Sequence, residues 1–188
     1  NIARAIFKEG NECVVLFCNS TTQAAQLQED LENESHEFDN DKNSAGIVVQ
    51  ICPSNDTWAR DTGPTFVVPR PLQHKDSPTS NKCQIGCLDW DFNAYGGPEE
   101  GCYWPCDLDR QVAVGMCREL STGVWHKRFK FDVNIQSIPL ILEGGSIHTD
   151  GQGTILTTKE CLMHSNRNPG KSQHEIQEMV LKATGCTR

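Results

Sequence analysis

The sequence predicts an α/β protein in which short strands alternate with helices. Apolar runs typical of strands recur along the chain and are separated by amphipathic helical stretches. The order helix, strand, acidic turn, strand occurs twice, with Asp61 in the first acidic turn and Glu143 in the second. Acids at equivalent strand ends of a repeat are typical of a radial, propeller-like arrangement with a common centre. An ordinary α/β sandwich is the alternative that this pattern leaves open.

The N-terminal part of the chain alternates strand and helix patterns. Ser20 or Thr21 is expected to begin a helix, because a hydroxyl side chain caps free backbone N–H groups. The run Ile47-Val48-Val49 predicts a strand buried on both faces. The predicted elements are the tail of a helix at 1–10, a strand at 12–18, a helix from 20 or 21 to 32, a solvated loop at 32–44, and strands at 46–52 and 65–68.

The rest of the chain continues the alternation. Asp107 is the predicted cap of an amphipathic helix at 108–120, whose expected buried residues are Val112, Val114, Met116, Cys117 and Leu120. The other predictions are a polar surface loop at 69–81, a strand at 83–90, a loop at 93–98, an irregular or strand segment at 124–133, a buried strand at 138–142, two short strands joined by the Asp150-Gly151 turn, and a helix at 172–183 ended by Gly185.

Composition limits the classes of partner. The 188 residues suffice for one domain, here predicted to be a single partial catalytic domain over 1–188, and the formal net charge is −8. That charge argues against nucleic acid and against an anionic membrane surface, which attract Lys and Arg. No apolar run is long enough for a membrane span, and residues 1–10 do not resemble a signal peptide. We therefore expect a cytoplasmic protein and, without an initiator Met, a chain that begins inside a longer one.

Ten cysteines are many for such a chain. Two pairs, Cys83 with Cys87 and Cys102 with Cys106, have the order of a four-thiolate structural zinc site, although their three-residue spacing is looser than usual. Disulfides and free thiols are the alternatives, and reduced thiols are favoured for a cytoplasmic protein. We predict no metal and no cofactor.

A carboxylate followed by two glycines stands at the end of the apolar run 138–142. Glu143 precedes Gly144 and Gly145, and glycine lets another chain or a ligand approach closely. This segment therefore predicts an acid in a place without side-chain bulk. A tight hairpin with an incidental Glu is the other interpretation.

A second acid lies beside an aromatic residue between two predicted strands. Asp61 follows Trp58 and Arg60, and Asp56 comes five residues before it. A carboxylate beside an aromatic ring can hold a guanidinium or amidinium cation, because the acid accepts paired N–H bonds and the ring offers its face. The simpler interpretation is a surface ion pair of Arg60 with a nearby acid. Asp61 and Glu143 together would hold one planar cation and manage its protons.

His148 and Asp150 form a further polar pair. Strand alternation would put them on the same face. They are either a catalytic pair or, as is commoner near a turn, a satisfied polar contact.

Four sequence blocks resemble those of the agmatine deiminase family. They occur in the family's order and lie between Cys52 and Pro169: residues 58–66 (Trp-Ala-Arg-Asp-Thr-Gly-Pro-Thr-Phe), residues 91–97, residues 142–162 and residues 166–169 (Asn-Arg-Asn-Pro). The related bacterial peptidyl-arginine deiminases share the Trp-x-Arg-Asp and Glu-Gly-Gly blocks. The long block after Glu143 is more similar to the agmatine branch.

The resemblance implies a five-bladed α/β propeller (the pentein fold) with its active site on the axis. It implies hydrolysis of agmatine to N-carbamoylputrescine and ammonia, a step of putrescine and polyamine biosynthesis, without a cofactor. A Cys thiolate attacks the guanidinium carbon, a His moves protons, and two Asp and one Glu hold the substrate. By motif, Asp61 and Glu143 match catalytic acids, and Trp58, Asp61, Glu143 and Gly144 match substrate-binding positions.

The chain also departs from the family pattern. The family's catalytic His, second Asp and nucleophilic Cys belong to blocks that these 188 residues do not contain, so we expect two to three blades of the five and no turnover by the chain alone. Exposed strand edges predict that the isolated chain forms a homo-oligomer, aggregates, or is the ordered part of something longer. Two alternatives remain: a truncated, non-catalytic binding or structural module, and a peptidyl-arginine deiminase-like activity.

Overall fold

A computed structural model describes residues 2–10, 12–35, 46–69, 84–122 and 131–188. The chain divides into two compact units, Asn1–Pro53 and Ser54–Arg188, and each is described by itself. The predicted surface loop at 69–81 lies almost entirely outside the described residues, as does most of the loop predicted at 32–44. No helix in the described ranges is both long and apolar enough to cross a membrane.

The first unit is a parallel β-α-β arrangement preceded by a helix. Its elements are α1 (Ile2–Gly10), β1 (Val14–Cys18), α2 (Thr21–Ser35) and β2 (Ile47–Ile51). β1 and β2 pair in parallel, in register from Val14 opposite Ile47. The predicted cap is confirmed, because the Ser20 hydroxyl accepts a hydrogen bond from the Gln23 N–H. α2 continues three residues past its predicted end at Glu32. The prediction that β2 is buried on both faces is wrong, since its residues are only partly buried and Ile51 is exposed.

The second unit contains a mixed sheet and a hairpin. Its helices are α3 (Ala59–Thr62), α4 (Gly97–Glu100), α5 (Val112–Thr122), α6 (Lys159–Met163) and α7 (Gln173–Thr184), with 3₁₀ turns at Asp109–Gln111 and Gly144–Ser146. Its strands are β3 (Thr65–Val67), β4 (Gln84–Asp91), β5 (Asp132–Ile141), β6 (Ile147–Thr149) and β7 (Ile155–Thr157). β4 lies between β3, its antiparallel neighbour, and β5, its parallel neighbour, whereas β6 and β7 form the predicted hairpin.

The core of the second unit lies between this sheet and α7. Its buried residues are Leu88, Trp90, Ile138, Leu140, Leu142, Ile147, Leu162, Ile176 and Val180. α7 begins with a capping box, in which Ser172 and Glu175 satisfy each other's backbone N–H groups, and it ends at Gly185 with a positive φ of 70°. The core fixes the C-terminal end of β5, and Glu143 lies two residues past that end.

Two predicted boundaries are wrong for physical reasons. The helix predicted at 108–120 starts as a 3₁₀ turn at Asp109 and becomes α-helical only at Val112. Asp107 does not cap it: the Asn55 side chain does, with Oδ1 accepting from the N–H groups of Leu108 and Asp109 at 3.0 and 3.4 Å. The strand predicted at 138–142 is only the apolar end of β5, which begins at Asp132.

The order of elements contains the predicted repeat. A parallel β-α-β arrangement occurs twice along the chain, first as β1-α2-β2 and then as β4-α5-β5. Each is followed by a short helical turn that carries an acid and then by another strand. Asp61 lies in the first of these turns and Glu143 opens the second.

Candidate functional site

The two predicted acids lie on short helical turns that contact each other. Asp61 belongs to α3, and Glu143 stands at the N-cap of the 3₁₀ turn Gly144–Ser146. The Gly145 N–H donates to Oδ1 of Asp61 at 2.8 Å, although the two residues are 84 positions apart in the chain. The structure therefore brings together the two acids that the sequence analysis selected.

The glycines allow this contact. A Cβ atom on Gly144 would lie 2.3 Å from the carbonyl oxygen of Arg60, and one on Gly145 would lie 2.3 Å from Oδ1 of Asp61. Real Cβ atoms do not approach other atoms so closely, so any larger residue would push α3 or its carboxylate away. Gly144 thus packs against the backbone of α3, and its role as a substrate contact stays a prediction.

Tyr95 links the two acids from a third segment. Its hydroxyl donates to Oδ2 of Asp61 at 2.8 Å, and its carbonyl oxygen accepts from Nη1 of Arg167 at 2.5 Å. Its φ of 68° is unusual for a non-glycine residue, and such strain clusters at functional sites. Burial raises the pKa of Tyr95, and so do its hydrogen bond to Asp61 and the charges of Asp61, Asp56 and Glu143. The phenol therefore stays protonated and keeps donating to Asp61.

Glu143 is buried and paired with a resident cation. Only 5% of the residue is exposed, and Oε1 accepts a 2.6 Å bond from Nε of Arg167. A buried carboxylate needs such a partner, because its desolvation is costly. Among the described residues, no donor reaches the other oxygen, Oε2. Glu143 thus retains an unused, buried acceptor.

Residues around Arg167 hold it in place. Its Nη1 also donates to Oδ1 of Asn166 at 2.7 Å, and the Asn166 carbonyl accepts from the Asn93 side chain at 2.7 Å. The carboxamide of Asn168 bonds to both the N–H and the carbonyl of Ile141, at 3.0 and 2.9 Å. The Asn-Arg-Asn sequence thereby connects the end of β5 to the loop that contains Tyr95.

No role for Tyr95 or Arg167 was predicted from the sequence. Both lie in blocks that resemble the agmatine deiminase family, Tyr95 in residues 91–97 and Arg167 in residues 166–169. The signal available for Arg167 was Glu143 itself, because an acid at the end of a buried strand calls for a cation. No comparable signal pointed to Tyr95.

Trp58 stands at the N-cap of α3, and its indole is exposed. Its carbonyl accepts from the Asp61 N–H at 2.9 Å, whereas 60% of the residue is exposed to solvent. Asp56 accepts a hydrogen bond from the N–H of its neighbour Thr57, and its charge helps to raise the pKa values of Tyr95 and Tyr103. The structure therefore places Trp58 next to Asp61 and Asp56 near the same tyrosines.

A second buried carboxylate fixes the segment before α3. Asp109 is 1% exposed, and its Oδ1 accepts from the N–H groups of Asn55 and Asp56 at 2.7 and 3.2 Å. Its Oδ2 accepts a short hydrogen bond from the hydroxyl of Tyr103. These bonds hold Asn55 and Asp56 against the 3₁₀ turn that leads into α5.

His148 and Asp150 do not form a site. β6 ends at Thr149, so Asp150 lies outside the strand and the predicted shared face is wrong. Oδ1 of Asp150 accepts from the N–H groups of Gln152 and Thr154, which lowers its pKa and closes the turn. Asp150 is therefore satisfied within its own turn, and the described residues show no hydrogen bond or ion pair between it and the exposed His148.

The cysteines do not gather into a metal site in the part of the chain that the structure describes. Cys83 lies outside the described residues. Cys87 and Cys117 are free thiols joined by a hydrogen bond. Cys106 packs against Phe92, and Cys102 is exposed. Burial raises the pKa of the thiols of Cys52, Cys87, Cys106 and Cys117, so these four are poor nucleophiles.

The chain is similar to known proteins over most of its length. The model of the Porphyromonas-type peptidyl-arginine deiminase family matches residues 1–188. A Mycoplasma capricolum protein named "Putative agmatine deiminase" is 36% identical over 176 residues, which are 92% of this chain and 42% of the relative. A Legionella pneumophila protein of the same name is 39% identical over 142 residues, 76% of this chain and 33% of the relative.

Two solved structures of agmatine deiminases are also similar to this chain. Agmatine deiminase of Enterococcus faecalis is 32% identical, with a TM-score of 0.57 over 85% of this chain and 37% of that one. A cysteine-to-serine variant of C. jejuni agmatine deiminase with substrate bound is 25% identical, with a TM-score of 0.58 over 93% of this chain and 40% of that one. The chain spans less than half the length of these relatives. Since the family model covers it from end to end, the chain belongs to the Porphyromonas-type peptidyl-arginine deiminase family.

Proposed function

We propose that this chain supplies the guanidinium-binding acids of an agmatine deiminase-type hydrolase, which converts agmatine and water to N-carbamoylputrescine and ammonia. The observation that carries the proposal is the buried, unused Oε2 of Glu143 beside the turn that holds Asp61. A carboxylate oxygen in such a place calls for a donor. The N–H groups of a guanidinium supply donors in one plane.

The two carboxylates would share one substrate cation. Asp61 accepts one protein hydrogen bond on each oxygen, from Gly145 and Tyr95, and each oxygen can accept another. Glu143 would accept through Oε2. Held between these acids, the guanidinium carbon is fixed in position and its positive charge is balanced, which favours attack by a nucleophile. The exposed indole of Trp58 would cover one face of the cation.

In this proposal the attacking thiolate and the proton-transferring His come from outside these 188 residues. Burial and a raised pKa argue against Cys52, Cys87, Cys106 and Cys117 as nucleophiles. The C. jejuni variant with bound substrate replaces a cysteine, as expected for a family that forms a thiol adduct. We further propose that the two β-α-β repeats are blades of a five-bladed propeller. The 188-residue chain alone is expected not to turn over substrate.

The substrate is proposed to be agmatine because the curated relatives and the E. faecalis structure bear that name. The family model is named for peptidyl-arginine deiminases, so arginine in a peptide is the second candidate. Both share the guanidinium that Asp61 and Glu143 would bind.

Calorimetric titration of the chain with agmatine tests the proposal. We expect binding of agmatine, weaker or no binding of putrescine, which lacks the guanidinium, and discrimination against an arginine peptide. Asp61→Asn and Glu143→Gln should each weaken agmatine binding by about 10- to 100-fold, the effect of losing a charge-assisted hydrogen bond. Asp150→Asn is the matched control, because that carboxylate closes an exposed turn.

Ammonia release by the intact gene product tests the reaction itself. The same two substitutions should lower kcat/KM at least as much as they weaken binding. Equal affinity for agmatine and putrescine, or unchanged affinity in both variants, would contradict the assignment of the acids. Ammonia release by the 188-residue chain would contradict the assignment of the nucleophile to another part of the protein.

A further inference from the structure

The side chain of Arg167 carries a guanidinium group. It lies where the guanidinium group of a substrate is proposed to bind. Its Nε bonds to Oε1 of Glu143 at 2.6 Å, and the side chains of Arg167 and Glu143 are only 13% and 6% exposed. This buried pair therefore differs from a surface ion pair, which contributes little to stability. Removing either partner would leave an unpaired charge in a nearly dry place.

The contact is made through a single carboxylate oxygen. In a two-pronged Arg–carboxylate pair both oxygens would be occupied. Here Nε takes Oε1, while Nη1 turns away to the Tyr95 carbonyl and the Asn166 side chain. Arg167 therefore neutralises Glu143 and fixes its direction without using Oε2.

Among the described residues, the charged and titratable groups on the segments that meet Glu143 include Arg167, Tyr95, and Arg60 and Asp61 of α3. Arg167 is the cation whose side chain contacts Glu143. Together the side chains of Asp61, Glu143 and Arg167 carry one net negative charge, which a bound guanidinium would balance. Without Arg167, the Glu143 carboxylate would be buried beside Asp61 with no cation bonded to it.

We propose, building on the function proposed above, that Arg167 is a positioning residue that keeps Glu143 a carboxylate and directs Oε2 to the substrate. Because Arg167 acts on Glu143 before a ligand binds, its effect can be measured without any ligand.

The ligand-free test is a carbon-detected NMR titration of the chain labelled in its glutamate carboxyl groups, with the Glu143 signal identified by its loss in Glu143→Gln. In Arg167→Gln the Glu143 signal at neutral pH should move towards the position of a protonated carboxyl group. Arg167→Lys should leave the signal near its wild-type position, because the charge remains. Arg110→Gln is the control: Arg110 bonds to the Phe92 carbonyl and to Asp91, and should leave Glu143 unchanged.

The second test is a double-mutant cycle with agmatine as the probe. Arg167→Gln should weaken binding about tenfold or more in the wild-type background and have little further effect in the Glu143→Gln background, because Arg167 acts through Glu143. Arg167→Lys should recover only part of the affinity, since an ammonium cannot reproduce the contacts of Nη1. The acid limb of the binding profile should move to higher pH in Arg167→Gln.

The outcomes separate this proposal from the proposed function. An unchanged Glu143 carboxyl signal in Arg167→Gln, or an equal loss of affinity in both backgrounds, overturns the role of Arg167. A signal that moves towards the protonated form, with no binding of agmatine by the wild-type chain, supports the role of Arg167 and overturns the proposed function. Far-ultraviolet circular dichroism and the unfolding midpoint of each variant show whether it is folded, and Arg167→Lys provides a folded comparison if Arg167→Gln is not.

Discussion

Gly144 and Gly145 are neighbours that meet α3 in different ways. A Cβ on Gly144 would meet a backbone atom, the carbonyl oxygen of Arg60, whereas a Cβ on Gly145 would meet the end of a side chain, the carboxylate of Asp61. A backbone segment yields at a high cost, but a carboxylate can rotate. The two positions should therefore separate folding stability from binding.

We expect Gly145→Ala to fold nearly as well as the wild-type chain and to bind agmatine about tenfold less tightly or worse, because the new methyl group displaces Asp61 and the bond to the Gly145 N–H is strained. Gly144→Ala should instead lower the free energy of unfolding by about 1–3 kcal/mol, the usual cost of overpacking. Urea unfolding and calorimetric titration of both variants measure the two effects. A stable Gly144→Ala variant together with an unstable Gly145→Ala variant would contradict this assignment.

The acids could be predicted from the sequence, but the residues that hold them could not. Asp61 and Glu143 each follow a strand pattern, and the two glycines mark the second as a place of close approach. Tyr95 reaches Asp61 across 34 positions and Arg167 reaches Glu143 across 24. Those distances depend on the packing of whole elements, which local patterns do not encode.

At the scale of elements, the start of the α5 region depends on a cap from a distant segment. Oδ1 of Asn55 accepts from the N–H groups of Leu108 and Asp109, and Asp109 in turn accepts from the N–H groups of Asn55 and Asp56. This reciprocal pair attaches the segment before α3 to the 3₁₀ turn before α5. A local cap at Asp107, which the sequence suggested, is not needed.

We expect Asn55→Ala to lower the free energy of unfolding by about 1 kcal/mol, because it removes the side-chain acceptor of two N–H groups at a helix start. Asp107→Ala is the control at the position predicted from sequence and should change stability by less than about 0.5 kcal/mol. Urea unfolding of both variants, followed by circular dichroism, compares them. A larger loss in Asp107→Ala than in Asn55→Ala would show that the local cap is the important one.

Strands with a clear apolar pattern could be predicted closely, as β1, β3 and β4 were. β5 could not, because most of its first six residues, including Asn134, Gln136 and Ser137, are exposed and polar. These residues form a strand because they pair with β4 in parallel register from Gln84 opposite Asp132. Strand pairing depends on tertiary structure, whereas the hydrophobic pattern of the sequence indicates only the buried end at Ile138 and Leu140.

At the scale of the whole molecule, both tyrosines of the chain have the same unusual surroundings. Tyr95 donates to Asp61 and Tyr103 donates to Asp109. Burial raises the pKa of each phenol, and the bonded carboxylate raises it further. No ordinary tyrosine remains in the chain to mask their titration.

We expect the folded chain to show almost no tyrosinate absorbance at pH values where free tyrosine, with its pKa of about 10, is already ionised. Because the folded pKa values lie above the unfolded one, the stability that the two phenols contribute is complete below about pH 10 and is lost as the pH rises further. Near-ultraviolet absorbance of the folded and the urea-unfolded chain as a function of pH measures both effects.

Single substitutions assign the signals. Tyr95→Phe and Tyr103→Phe should each leave one tyrosine, whose phenol gives no tyrosinate absorbance in the folded state. Each substitution should also reduce the loss of stability at alkaline pH. Ionisation of either remaining phenol near its ordinary pKa, while circular dichroism still shows the folded state, would contradict the hydrogen bonds described here.

The unused Oε2 of Glu143 has a practical consequence for these measurements. Guanidinium chloride, a common denaturant, delivers the same planar cation that the two carboxylates are proposed to bind. At low concentration it would act as a ligand of the native state and oppose the unfolding that it causes at high concentration. Urea carries no charge, so it is the reagent for measuring stability in this protein. A rise in stability at low guanidinium chloride that is lost in Glu143→Gln would report occupancy of the acidic pair.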